Sequence, residues 1–83
     1  MTGLQFAVLR AYAASLPKTC PTRAKLAGKL WADLPHGGQR SAGRVLAWKM
    51  GLLREDGRTL TPEGLEAARD YLGRFLEGEG GAG

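Results

Sequence analysis

The sequence has few of the residues that build disulfide frameworks, metal sites or catalytic centres. Cys20 is the single cysteine, which excludes an intramolecular disulfide and a multi-cysteine zinc site. The single histidine, His36, lies in a Pro/Gly-rich bend and is interpreted as structural, with a phosphate contact as the alternative. Glu63, Glu66 and Asp70 are typical of a solvated helix face. We therefore expect no enzyme activity, no cofactor and no metal site.

Long apolar runs are also missing from the sequence. No segment approaches the roughly 20 residues that a membrane-spanning helix needs, and residues 2–16 lack the basic start of a signal peptide. We predict a cytoplasmic protein without a membrane partner. With 83 residues, 43% of them apolar, the chain can form one small core. We assign residues 1–78 to a single domain and residues 79–83 to a flexible Gly-rich tail.

Acidic residues are scarce in the first two-thirds of the chain. Residues 1–54 contain nine Lys or Arg and one acid, Asp33, whereas residues 55–83 contain three Arg and seven acids. The net charge of +4 therefore divides into +8 for the first part and −4 for the second. Concentrated positive charge favours a polyanionic partner, with an ordinary solvated surface as the alternative.

The first two helices are predicted from apolar periodicity and from the prolines that bound them. Residues 3–16 form the first helix, which Pro17 stops. Thr22 is the expected N-cap of the second helix, which ends at the Pro/Gly-rich bend of residues 34–38. The apolar strip of this helix, which includes Trp31, is expected to lie in the core.

The third helix is predicted to cover residues 39–50. Ala42, Val45 and Leu46 are expected to face the core. Trp48 lies on the flank, where it would belong either to the core or to a partner surface. The opposite side, which would face solvent or DNA, consists of Gln39, Arg40, Gly43, Arg44 and Ala47.

A β-hairpin is predicted after the third helix. The Asp-Gly pair at residues 56–57 is a strong two-residue turn signal, and pairing around it places Leu53 opposite Leu60. Thr61 then acts as the N-cap of a last helix that ends at Gly78. The predicted fold class is therefore mainly α with a small β-hairpin.

Four segments share their pattern with a known family: residues 24–27 with Leu30, 44–46, 50–53 and 60–65. Over nearly all of residues 4–77, the chain resembles the winged helix-turn-helix domains of bacterial and phage transcription regulators. The resemblance implies three helices, a two-stranded wing and a C-terminal helix. It also implies that the third helix enters the major groove of DNA, while the wing and the start of the second helix touch the backbone.

Double-stranded DNA is accordingly the expected partner, and transcription regulation the expected function. Arg40 and Arg44 lie four residues apart on one helical face, from which both would reach bases or phosphates. An arginine fork can bind guanine, and the Gln39 amide can bind adenine. The other expected contacts, mainly to phosphates, are Thr22, Arg23, Lys25, Ser41 and Arg58.

A protein-interaction module is the alternative function. The tip of the predicted hairpin has no net positive charge, and the last helix is acidic. Both features favour docking on the transcription, recombination or packaging machinery over DNA contact by the wing. If the protein forms a homodimer, we expect Phe6, Tyr71 and Phe75 to provide the dimer or partner surface.

Overall fold

Within residues 1–80 the protein forms four α-helices, and the first of them lies between the other three. The computed structural model describes residues 1–80, with the side chains of residues 1–75. The helices are α1 (Gly3–Ser15), α2 (Pro21–Ala32), α3 (Gly37–Lys49) and α4 (Pro62–Gly80). α1 packs against each of the other three, and these three have no close backbone contacts with one another among the described residues.

α1 is apolar on several sides, which suits its central position. Its start is fixed by a capping box, in which the Gln5 N–H donates to Thr2 Oγ1 at 3.1 Å and the Thr2 N–H donates to Gln5 Oε1 at 3.2 Å. One part of the core contains Ala7, Val8, Ala11, Ala47, Leu52, Leu53 and Ala68. The other part contains Phe6, Leu9, Ala13, Leu26 and Leu30.

α3 crosses α1 closely because glycines meet at the crossing. A Cβ added to Gly43 would overlap the backbone of Gly3, and a Cβ added to Gly3 would overlap the backbone of α3. Gly43 and Ala47 are the buried residues of α3. The prediction of which side of α3 is buried is therefore wrong, since Val45 and Leu46 are about half exposed. So close a crossing has room for small residues only.

α2 packs against α1 through two large side chains, Leu26 and Leu30, which are both buried. The helix begins directly after its N-cap, Cys20, at a proline whose fixed φ suits the first helical position. The prediction of Thr22 as N-cap is therefore wrong. The predicted burial of Trp31 is also wrong, because this side chain is 74% exposed. Trp31 follows Leu30 by one residue and so points about 100° away from it around the helix.

The predicted winged helix is wrong in its β part. Within residues 1–80 there is no β-strand, and Leu53 and Leu60 form only an isolated antiparallel bridge. This bridge is the predicted pairing, but no ladder extends from it towards the tip. A longer ladder would need the Thr59 N–H to donate to the Arg54 carbonyl oxygen, but this N–H donates to Asp56 Oδ1 and the carbonyl accepts the Gly57 N–H. The mainly helical part of the prediction is confirmed.

α4 begins where the sequence predicted. The N–H of Gly64 donates to Thr61 Oγ1 at 3.0 Å, so Thr61 is the N-cap. The helix extends to Gly80, past its predicted end, and of the predicted tail at residues 79–83 the last three residues lie outside the described part of the chain. No helix in the described part is long and apolar enough to span a membrane.

Candidate nucleic-acid interface

Four arginines line a groove between α1 and α3 with a volume of about 490 Å³. Arg10 comes from α1, Arg40 and Arg44 come from α3, and Arg58 comes from the loop between α3 and α4. No acidic side chain is among the residues that line this groove. We term it the arginine groove.

Small residues of α1 give the arginine groove its floor. Ala7, Ala11 and Ala14 line it together with Phe6, and none of them carries a polar side-chain atom. The close crossing at Gly43 brings the arginine side of α3 next to this floor. The same small residues that pack the two helices therefore also make the groove.

Arg40 lies over the N-terminus of α3. Its Nη2 is 3.7 Å from the place that a Cβ on Gly37 would occupy. α3 begins there because His36 Nδ1 accepts the N–H of Gly38 at 3.2 Å, two residues before the predicted start. The Nε of Arg40 is buried and has no hydrogen-bond partner within the described residues. An unpaired buried donor of this kind costs about 1–3 kcal/mol.

The loop between α3 and α4 closes one end of the arginine groove. A Cβ on Gly57 would lie 3.5 Å from Arg44 Cδ, so the loop tip packs along this side chain. Asp56 Oδ1 accepts the N–H groups of Arg58 at 2.8 Å and Thr59 at 2.9 Å, and its Oδ2 accepts the Thr59 hydroxyl at 2.6 Å. These hydrogen bonds, that of the hydroxyl first, lower the pKa of Asp56 to about 2. The hydrogen bonds thus fix the shape of the loop tip that packs along Arg44.

Little in the protein neutralises the charge of the arginine groove. Within the described residues no carboxylate forms an ion pair with Arg10, Arg40, Arg44 or Arg58. Asp56 acts on Arg58 at longer range only, because its two oxygens are bonded within the loop. Four guanidinium groups around one low-dielectric wall create a local positive potential that attracts anions.

A second groove, of about 280 Å³, continues from the first towards α2. Arg10 and Arg40 line both grooves, and Arg23 joins them in the second. Arg23 Nη1 donates to the carbonyl oxygen of Leu16 at 2.7 Å, which ties the start of α2 to the end of α1. Trp31 lines this groove as well, and we term it the tryptophan groove.

The structure separates the predicted DNA contacts into three groups. Arg40, Ser41, Arg44 and Arg58 lie together in the arginine groove. Arg23 lies in the tryptophan groove. Thr22, Lys25 and Gln39 are exposed and line neither groove.

Arg10 is the residue that sequence reasoning missed. It is exposed on α1 and lines both grooves. A signal was present in the sequence, because Arg10 is the single charged residue of an otherwise apolar and small-residue helix. A charge in that position must leave the core, and it marks the side of α1 on which the other helices do not pack.

The residues expected to form a dimer surface pack within the chain itself. Phe6 is buried in the core with Leu9 and Leu30, and Tyr71 and Phe75 are half-buried against the same cluster. Phe6 therefore has little surface left for a partner.

Larger apolar side chains are exposed on and just after α3 instead. They are not part of the buried core, since Gly43 and Ala47 are the residues of α3 that are buried. We term this surface the outward face of α3. Its large residues, each about half exposed, are Val45, Leu46, Trp48 and Met50.

The cysteine and the acidic side chains add no second site. The backbone N–H groups of Arg23 and then Thr22 lower the pKa of the Cys20 thiol at the start of α2. Within the described part of the chain, no three His, Cys, Asp or Glu side chains converge as metal ligands would.

Comparison with known proteins yields no relative from which a role could be carried over. No protein-family model, curated protein or solved structure matches the chain. The resemblance to winged-helix regulators therefore rests on the sequence pattern alone.

Proposed function

We propose that the protein binds double-stranded DNA through the phosphate backbone, with the arginine groove as its binding site. The observation that carries this proposal is the convergence of Arg10, Arg40, Arg44 and Arg58 on one groove without a carboxylate to pair them. Four positive charges that lie close together create a local potential that attracts a ligand of opposite charge.

The chemistry of the groove suits phosphate. Guanidinium groups bind phosphate oxygens bidentately, and such charge-assisted hydrogen bonds are about twice as strong as neutral ones. Releasing the counter-ions condensed on DNA adds favourable free energy for each phosphate that is neutralised.

The distribution of charge would orient the protein on DNA. The acidic residues exposed on α4, which are Glu63, Glu66 and Asp70, would be repelled by the backbone. The arginine groove is formed by α1, α3 and the loop that follows α3, with no residue of α4 in its lining. A duplex is therefore expected to meet the groove side first.

In this proposal α3 lies along the backbone rather than deep in the major groove. Its outward face carries apolar side chains such as Val45 and Leu46, which make few hydrogen bonds to base edges. Arg44 and Ser41 remain placed to meet the duplex at the groove edge. Transcription regulation in the cytoplasm is the process we propose for such a protein, since a small backbone-binding module can block or bend a promoter.

Fluorescence anisotropy on a labelled duplex across a salt series tests the proposal. Four phosphate contacts predict a slope of log K against log salt of about −3.6, and Arg44→Ala should reduce its magnitude by about 0.9. Arg69→Ala, an exposed arginine of α4 outside both grooves, should leave the slope unchanged. Failure to bind any duplex at low salt would sink the proposal.

The outward face of α3 favours a second candidate function, a protein-interaction module. Four large apolar side chains exposed on one short stretch form the kind of patch that marks a protein partner. A partner retained after nuclease treatment should be lost with Leu46→Asp and kept with Arg44→Ala. A partner that is released by nuclease and by Arg44→Ala, but kept with Leu46→Asp, would instead be held through DNA bound in the arginine groove.

A further inference from the structure

Trp31 is placed in a way that core packing does not explain. It is the most exposed of the large apolar side chains, at 74% exposure, and it lies on the wall of the tryptophan groove. Leaving an indole in water forgoes the largest apolar burial that any side chain offers. Leu30, its neighbour in the chain, is buried, so the position of α2 is already fixed without Trp31.

The surroundings of Trp31 combine apolar surface with positive charge. Arg10, Arg23 and Arg40 line the same groove, and no acidic residue does. Arg10 and Arg40 also belong to the arginine groove, so the two grooves form one continuous surface. A ligand that satisfies this surface needs a flat apolar part for the indole and a negative part for the guanidinium groups.

We propose that the tryptophan groove binds an unpaired nucleotide of a DNA strand, whose base stacks on Trp31 while its phosphates lie against Arg10 and Arg40. This inference rests on the proposed function, because the same strand would continue into the arginine groove as duplex. A base inside a duplex is covered by its neighbours on both faces, whereas the base of a single-stranded overhang or an extruded base presents a face to Trp31.

Other ligand chemistries fit this surface less well. An apolar peptide would cover Trp31 and Leu34 but would leave the positive charges of Arg10 and Arg40 without an anion. A lone phosphate would pair the arginines but would leave the indole exposed. A nucleotide supplies both parts, and stacking on an aromatic side chain tolerates any base.

The test compares a blunt labelled duplex with the same duplex carrying an unpaired thymidine overhang. Anisotropy should show the overhang bound about tenfold more tightly, and Trp31→Ala should remove this preference while leaving the affinity for the blunt duplex unchanged. Trp48→Ala is the matched control, since Trp48 is exposed on α3 and lines neither groove; it should keep the preference. In a Trp48→Phe variant, the overhang should quench the remaining emission of Trp31.

Three results would separate the two proposals. Equal affinity for both duplexes, or a preference that persists in Trp31→Ala, overturns the inference and leaves duplex binding standing. If the isolated single strand binds and the blunt duplex does not, the result supports the inference and overturns duplex binding. Displacement of the overhang by thymidine monophosphate at equal concentration would show a free nucleotide to be the ligand, which overturns the assignment to a strand.

Discussion

α2 and α3 both pack on α1, but they do so with opposite kinds of residue. α2 buries Leu26 and Leu30, whereas α3 buries Gly43 and Ala47. The leucines stabilise the packing of α2 on α1 by burying apolar area. The small residues of α3 stabilise its packing on α1 by letting the two backbones approach closely. A helix that packs through its small residues has to turn its large ones elsewhere.

This difference explains where the candidate functional groups lie. α3 buries its smallest residues, so Arg40 and Arg44 flank the crossing and line a groove, while Leu46 faces out. α2 buries Leu26 and Leu30 in the core, and Trp31 is its one large apolar side chain that is exposed. The close crossing is therefore the structural reason for both the arginine groove and the outward face.

The largest expected effect comes from truncating one leucine on each helix. Leu30→Ala in α2 should lower the free energy of unfolding by about 2–5 kcal/mol, because Leu30 is 5% exposed and its removal leaves a cavity. Leu46→Ala in α3, where the side chain is 47% exposed, should change it by less than about 0.5 kcal/mol. Urea unfolding measures both, and equal losses would refute the assigned orientation of α3.

The next effect comes from the same substitution at two glycines, one in each helix. Gly43→Ala should destabilise the protein by about 1–3 kcal/mol, because the new methyl group would overlap Gly3. Gly28→Ala in α2 should stabilise it by roughly 0.5–1 kcal/mol, since nothing lies within 4 Å of its Cβ position and alanine favours helix. Thermal unfolding followed by circular dichroism gives both signs. Stabilisation by Gly43→Ala would show that the helices do not cross closely.

Local signals in the sequence were enough to find the helices. Pro17 and the bend at residues 34–38 separate them, and Thr61 caps α4 as predicted. The side on which α3 packs was not predictable from apolar periodicity, because that pattern weights Val45 and Leu46 and ignores glycine. A close crossing depends on a second glycine, Gly3, that lies on another helix far along the chain.

The predicted wing failed for a similar reason. The Asp-Gly pair marked a turn, and Leu53 and Leu60 do pair. Whether a turn continues into strands depends on side chains that compete for the backbone N–H groups, and Asp56 takes two of them. Half of the eight predicted DNA contacts gather in the arginine groove, but Arg10 joins them from α1, which no reading of α3 alone would reveal.

A smaller effect distinguishes the starts of the two helices. His36 caps α3 through its Nδ1, whereas Cys20 at the start of α2 makes no side-chain capping bond. His36→Ala should therefore cost about 0.5–1 kcal/mol of unfolding free energy, and Cys20→Ala should cost less. Hydrogen exchange of the first turn of α3 should rise only in the His36 variant. Equal changes in both variants would remove the role assigned to His36.

A still smaller effect on stability is expected from the loop that follows α3 and lines the arginine groove. No such loop follows α2. The pKa of Asp56 is lowered to about 2 by its hydrogen bonds, against about 3.9 in an unfolded chain. A lowered folded-state pKa means that the stability from this carboxylate is complete above about pH 4 and is lost as pH falls towards 2. The difference in urea midpoint between wild type and Asp56→Asn should shrink over that range. Glu55→Gln, which removes no hydrogen bond present among the described residues, is the control.

We expect the positions of the four arginines in the groove, and not the total charge of the protein, to determine its affinity for DNA. Two double variants that each remove two positive charges test it most directly by anisotropy at one fixed salt concentration. The double variant Arg40→Ala with Arg44→Ala should bind the duplex about tenfold more weakly or worse. Each lost phosphate contact removes roughly 0.7–1.5 kcal/mol of binding free energy. Arg54→Ala with Arg69→Ala, both outside the two grooves, should weaken it much less. Equal losses from the two variants would contradict the account, because binding would then follow net charge alone.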